Sequence, residues 1–226
     1  MNSDRRAHEV PGLPQVLVDG FRQARAGVSE FFLTHAHGDH YGGLNDQFEL
    51  ENCYLYATSR TASFAANILG VSRDRMIILQ DETGVLLQNS VPAIVTACGA
   101  NHCPGAAMLL FEVFSTRLQA EAVFAWQSTG GDQLLQGHVI ADGAPSSTGA
   151  RKGATAPPRG VFTLHTGDFR ACIAMQRYPC LLRCGQGQGH HSAAHEADAT
   201  QGSAPIAVRH LFVDTTYCRA KHTFLP

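Results

Sequence analysis

Short apolar runs, rich in β-branched and aromatic residues and separated by Gly, Pro, Asn and Asp, recur along most of this chain. Runs of this kind, bounded by turn formers, predict strands. They fall at 15–19, 30–34, 53–57, 76–79, 85–87, 91–98, 108–114, 160–166 and 208–214. The stretch 61–69 has helical spacing instead, with Ala62, Ala65, Ala66 and Leu69 recurring at turn intervals and Gly70 placed as a C-cap. A second short helix is expected to open within 39–44, where Gly42-Gly43 allows close backbone approach. Many strands with few helices predict a layered α/β body, a sheet sandwich with helices outside.

Two stretches break the rhythm. Residues 115–159 contain Gly130-Gly131, Ala144-Pro145-Ser146-Ser147-Thr148-Gly149 and Pro157-Pro158, and residues 184–205 hold alternating Gly and Gln followed by His190, His191 and His195. Such compositions bury little apolar surface, and each stretch lies between two strand candidates. Both are therefore expected to be mobile loop insertions within one domain. Cys180 and Cys184 ahead of the three histidines suggest a zinc knuckle, but the spacing is at the edge of the usual range, and a His-rich tract is a compositional signal.

The chemistry concentrates behind the second strand. In Phe31-Phe32-Leu33-Thr34-His35-Ala36-His37-Gly38-Asp39-His40-Tyr41-Gly42-Gly43-Leu44, three imidazoles and one carboxylate fall within six positions. Neutral imidazole suits zinc, and a carboxylate adds a hard ligand for a divalent ion. One loop cannot supply a whole hydrolytic site, and two later segments offer the rest. Asn101-His102-Cys103-Pro104-Gly105 follows the strand ending at Cys98, and Leu164-His165-Thr166-Gly167-Asp168 places Asp168 just past another strand end. Loops at strand ends are where sites are usually built. His35, His37, His102 and Asp168 make a plausible set for one zinc ion. Asp39, His40 and a bridging Asp168 suit a second divalent ion. His165 reads as a strand residue beside the site.

Composition narrows the classes. At 226 residues with 44% hydrophobic content the chain can build a substantial core. A net charge of −2 argues against a bare nucleic-acid-binding module, though not against an enzyme whose metals meet phosphate. Seven Cys without a paired framework suggest a reducing compartment, and no secretory signal or membrane-length apolar run is evident. The expectation is a soluble, intracellular protein, without a clear nuclear-import signal.

The histidine loop, Ala100-Asn101-His102-Cys103-Pro104-Gly105-Ala106-Ala107-Met108, Leu164-His165-Thr166-Gly167-Asp168-Phe169-Arg170 and Asp214-Thr215-Thr216-Tyr217-Cys218 occur in that order. Together they resemble the DNA cross-link repair nucleases, the branch of the metallo-β-lactamase/β-CASP superfamily that includes Artemis and Apollo. The versions seen here are most similar to the interstrand cross-link repair members. The resemblance implies an α/β fold, the αββα metallo-β-lactamase sandwich, with residues 10–226 forming its N-terminal half. The β-CASP region and the C-terminal half, with another metal-binding His, would lie beyond the matched part.

It further implies a zinc-dependent 5'-to-3' DNA exonuclease of interstrand cross-link and double-strand break repair, acting in the nucleus by metal-activated attack of water on the phosphodiester. The implied partner is DNA with 5'-phosphorylated, cross-linked or damaged ends. His35, His37 and His102 match the zinc-binding histidines, and Asp168 the metal-bridging carboxylate. Asp39 and His40 match the pair at a second metal, with Asp39 expected to position the water. Asp19 matches an acid supporting the metal loop, and Asp214 the first acidic motif of the β-CASP part. Three other readings stand beside this one: a small-molecule metallo-hydrolase, an RNA-processing nuclease and a non-catalytic zinc-binding remnant.

Overall fold

A computed structural model describes residues 8–48, 52–129, 159–181 and 208–213. The described residues form two five-stranded sheets laid face to face. The first runs β1 (Glu9–Val10), β2 (Leu13–Val18), β3 (Glu30–Phe32), β4 (Tyr54–Thr58) and β5 (Met76–Leu79), in that spatial order. β1 pairs antiparallel with β2, and every later pairing in this sheet is parallel. The second sheet has the order β10 (Val208–Phe212), β9 (Val161–His165), β8 (Ala107–Val113), β7 (Ala93–Gly99) and β6 (Gly84–Leu86). It is antiparallel except for the β9–β10 pair.

Strand alternation sorts the apolar residues between layers. Val16, Val18, Phe32 and Tyr56 point inward from the first sheet, meeting Val95, Ala97, Leu109 and Phe111 of the second. Phe32 stacks on Tyr56 with ring centroids 4.5 Å apart and meets the Phe111 ring edge-on at 5.0 Å. The alternate residues Leu17, Phe31, Leu55 and Ala57 face outward, where α1 (Ser59–Asn67) covers them with Ala62 and Ala65. Parallel strands buried on both faces read as continuous apolar runs, which is why β3 and β4 show no polar alternation. On the outer face of the second sheet, α2 (Arg117–Ser128) packs Ala120 and Val123 against Ile94 and Phe114. The layers are therefore helix, sheet, sheet, helix: a partial α/β sandwich.

Two expectations change. The stretch from residue 115, read as loop throughout, begins with α2. Thr116 caps this helix by accepting the Gln119 N–H, and Arg117 pairs with Glu121 one turn on at 2.8 Å. Arg117 also donates to the carbonyls of Leu87 and Val91, fastening the helix start to the second sheet. The remainder, 130–158, lies outside the described residues, as does all of 184–205. Residues 39–44 form successive turns rather than a helix, with Gly43 at φ +98°. Among the described residues, no helix is long and apolar enough to cross a membrane.

Candidate metal centre

Four strand ends deliver the site. β2 leads to Asp19, β3 to Thr34 and His35, β7 to His102, and β9 to Asp168. Asp19 adopts φ +52°, a left-handed conformation uncommon for a side-chain-bearing residue and often found where function demands it. Its carboxylate accepts the Thr34 N–H at 2.8 Å, the Thr34 hydroxyl at 2.6 Å and the His40 Nδ1–H at 2.8 Å. The Thr34 hydroxyl proton is thus committed to Asp19. The Thr34 oxygen, 3.0 Å from His35 Nδ1, must then accept from that nitrogen. This fixes the His35 tautomer: Nδ1 carries the proton, and Nε2 turns a lone pair toward the other histidines.

There His35 Nε2 lies 3.0 Å from His37 Nδ1, which in turn lies 3.1 Å from His102 Nε2. Asp168 Oδ2 stands 3.4 Å from His102 Nε2 and 3.7 Å from His35 Nε2. One donor atom from each of these four residues lies within 4.8 Å of all the others. Around a tetrahedral ion with imidazole bonds of about 2.0–2.1 Å, donors stand about 3.3 Å apart. The observed separations bracket that edge, so three imidazoles and a carboxylate fit a divalent cation. Burial, helped by the charge of His40, lowers the His35 pKa to about 4, which keeps this imidazole neutral and able to ligate at physiological pH.

His40 is placed differently from a simple ligand. Its Nδ1 is held by Asp19, and its Nε2 reaches Asp168 Oδ1 at 3.1 Å. Burial opposes its charge, but the hydrogen bond and charge of Asp19, with Asp168 and Asp39, outweigh it and raise the pKa to about 9. His40 therefore bridges the two acids. Asp39 stands at the rim, its side chain 74% exposed and 3.8 Å from His40 Nε2. The pair assigned to a second ion thus splits between an inner and an outer position. Asp214 lies outside the described residues. His165 closes β9, its ring stacked on Phe212.

Two glycines permit this approach. Gly167 sits at φ +51°, and a Cβ there would lie 2.8 Å from the Thr34 hydroxyl oxygen, so any side chain would push the turn that carries Asp168 away from Thr34. Gly105, at φ +93°, offers its carbonyl to the hydroxyls of Thr58 and Thr61 at 2.7 and 3.0 Å, anchoring the His102 turn on the start of α1. Asn101, also left-handed at φ +52°, donates to the Arg170 carbonyl at 3.2 Å and couples the His102 and Asp168 loops. Sequence reasoning missed Thr34 and Asn101. The signal for Thr34 was its place between a strand and the first histidine; nothing local marks Asn101.

No family model matches the chain. The DNA cross-link repair 1A protein of Gallus gallus is 28% identical over 208 residues, 92% of this chain and 14% of that protein. The DNA cross-link repair protein SNM1 of Arabidopsis thaliana is 27% identical over 217 residues, 96% of this chain and 30% of that protein. The 5' exonuclease Apollo of Rattus norvegicus is 37% identical over 108 residues, 46% of this chain and 19% of that protein. The chain thus spans less than a third of the length of these curated relatives. Among solved structures, Rm3 metallo-beta-lactamase aligns with 39% of this chain and 37% of its own, at a TM-score of 0.31 and 22% identity, a likeness too partial to bear on the fold assigned above. By sequence, matched along nearly its whole length, this chain is similar to the DNA cross-link repair proteins that its motifs resemble.

Proposed function

We propose that this chain carries the metal centre of a zinc-dependent nuclease that degrades DNA from its 5' end in cross-link and double-strand break repair, within the nucleus. The convergence of His35, His37, His102 and Asp168 donor atoms within 4.8 Å, on a chain similar to cross-link repair proteins, carries this reading. In it, these four residues hold the ion. Bound zinc supplies positive charge for the oxygens of the scissile phosphodiester and lowers the pKa of water toward ~7.

The chain's own groups do the positioning. Asp19 and Thr34 orient His35, so that its lone pair and not its proton faces the centre. His40, charged by its acidic neighbours, steadies Asp168 from the side opposite His102. Asp39, exposed at the rim, is within reach of solvent and is assigned to orienting the attacking water. The substrate is DNA with a 5'-phosphorylated, damaged or cross-linked end.

The test is stepwise shortening of a 3'-labelled, 5'-phosphorylated DNA strand by the zinc-loaded chain, with an RNA strand of the same sequence alongside. His102→Ala should lose both zinc and activity. Asp39→Asn should retain zinc and lose about 10²-fold or more in rate, as expected when a group that orients or deprotonates water is removed. Stoichiometric zinc without turnover of DNA would overturn the nuclease reading for this chain and leave a zinc-binding one. Faster turnover of RNA would move it to RNA processing.

A further inference from the structure

A second group of metal-ligating side chains lies apart from the histidine centre, on the outer face of the second sheet. Glu82 occupies the turn between β5 and β6, Cys98 lies on β7, and Cys180 lies in the turn of helix that follows the 3-10 segment Ile173–Arg177. Cys98 is 1% exposed and Cys180 0%. The Glu82 carboxylate accepts the Cys180 N–H at 2.8 Å and contacts Cys180 Sγ at 3.4 Å. One ligand atom from each of the three lies within 4.8 Å of the other two.

Three observations distinguish this group from a pair of ordinary buried cysteines. Glu82 holds φ +55°, with its N–H fixed on the Ala97 carbonyl at 2.8 Å, so strained backbone is what brings a carboxylate to two thiols. Around a tetrahedral zinc with bonds of about 2.3 Å to sulfur and about 2.0 Å to oxygen, those atoms stand about 3.5 Å apart, which the Glu82–Cys180 contact matches. A cavity of about 750 Å³, lined by Asp81, Cys98, Gly99 and Gly105 among others, borders the group at Cys98.

We propose that Glu82, Cys98 and Cys180 bind a zinc ion of their own, which ties the segment leading to His102 to the segment following Asp168. Thiolate pairs favour zinc among the common divalent ions, and an added carboxylate argues against a purely soft ion such as Cu(I). On binding, each thiol gives up its proton to solvent and a sulfur–zinc bond replaces the sulfur–hydrogen bond, with no change of oxidation state. In the ion's absence the hydrogen bond to Cys98, burial and the neighbouring Glu82 charge all hold the Cys180 thiol above its ordinary pKa. Binding therefore releases protons at neutral pH. Cys98 lies on the strand that continues into His102, and the chain runs from Asp168 through the 3-10 segment to Cys180, so the ion would brace both loops from behind.

The probe is cobalt(II), added to the reduced, chelator-treated full chain. Sulfur bound to cobalt gives an intense near-ultraviolet charge-transfer band that imidazole and carboxylate ligands do not. The band should appear in the wild type and persist in the double variant His35→Ala/His102→Ala. It should also persist in Cys103→Ser, whose thiol lies nearer the histidine centre. Cys98→Ser and Cys180→Ser should each lose it. Glu82→Gln, at a half-buried turn, should keep the band but need about tenfold more cobalt or higher. Should the serine variants fail to fold, zinc stoichiometry still decides the matter: the reduced wild type should bind one equivalent beyond that filling the histidine centre, and His35→Ala/His102→Ala should keep that one. Absence of the band in folded wild type, or no zinc bound beyond the equivalent filling the histidine centre, would each overturn the proposal.

Discussion

Thr34 has one hydroxyl and serves two neighbours: it donates to Asp19 and accepts from His35. Thr34→Val keeps the shape and removes both bonds, leaving a buried carboxylate oxygen and a buried imidazole N–H short of a partner. Loss of about 1–3 kcal/mol in urea unfolding is expected. Because the same hydroxyl fixes the His35 tautomer, zinc affinity at the centre should fall about 10–100-fold in a chelator competition, the usual effect of removing a group that orients a ligand. An unchanged affinity would mean that packing alone orients the ring. Glu30 gives a second test at this scale. Burial raises its pKa above 4.5 despite hydrogen bonds from Tyr56, Asn89 and Ser29. The folded chain then binds a proton more tightly than the unfolded one. The stabilisation is complete below pH 4.5 and is lost as pH rises toward the folded value. Urea midpoints measured from pH 4.5 upward should decline with pH, and Glu30→Gln should show a shallower decline over the same window. Parallel curves for the two proteins would refute the assignment.

At the level of elements, the strands could be read from the sequence almost residue for residue, because β-branched and aromatic runs such as Met76–Leu79 end at turn formers. β10 stops at Phe212, two residues before the run suggested. α2 escaped notice because the Gly- and Pro-rich residues behind it dominate the composition of 115–159, masking the short periodicity of Ala120 and Val123. Its anchorage depends on tertiary contact, which sequence does not display: the Arg117 guanidinium reaches carbonyls of Leu87 and Val91, far away in the chain. Arg117→Ala should destabilise the chain by about 1–3 kcal/mol through those orphaned carbonyls. Leu118→Glu, one position along but with Leu118 76% exposed, should stay within about 0.5 kcal/mol of wild type. Equal effects in denaturant unfolding would show that α2 is not held by this clamp. The histidine loop announced itself through the spacing of one short segment, whereas Glu82, Cys98 and Cys180 are scattered along the sequence and meet only once the second sheet has formed.

For the whole molecule, the histidine centre gathers His35 and His37 from the loop after the first sheet's β3, and His102 and Asp168 from the loops after the second sheet's β7 and β9. Any ion that binds the folded chain and not the unfolded one stabilises it, by about 2.7 kcal/mol at a hundredfold excess over its dissociation constant. Zinc added to the chelated chain should therefore raise the melting temperature. His102→Ala should abolish the part of that rise due to this centre. A rise of the same size in the variant would place the stabilising ion elsewhere. The Ala107 N–H, which donates to the Thr34 carbonyl at 3.1 Å, joins the same two layers immediately beside the centre. Because the ligands are divided between the two sheets, the occupied centre works as a rivet between separate plates. Relative sliding of the sheets would break it, and a substitution deep in the shared core, such as one at Phe32 or Phe111, would be felt at the ion through a change in the gap the rivet must span.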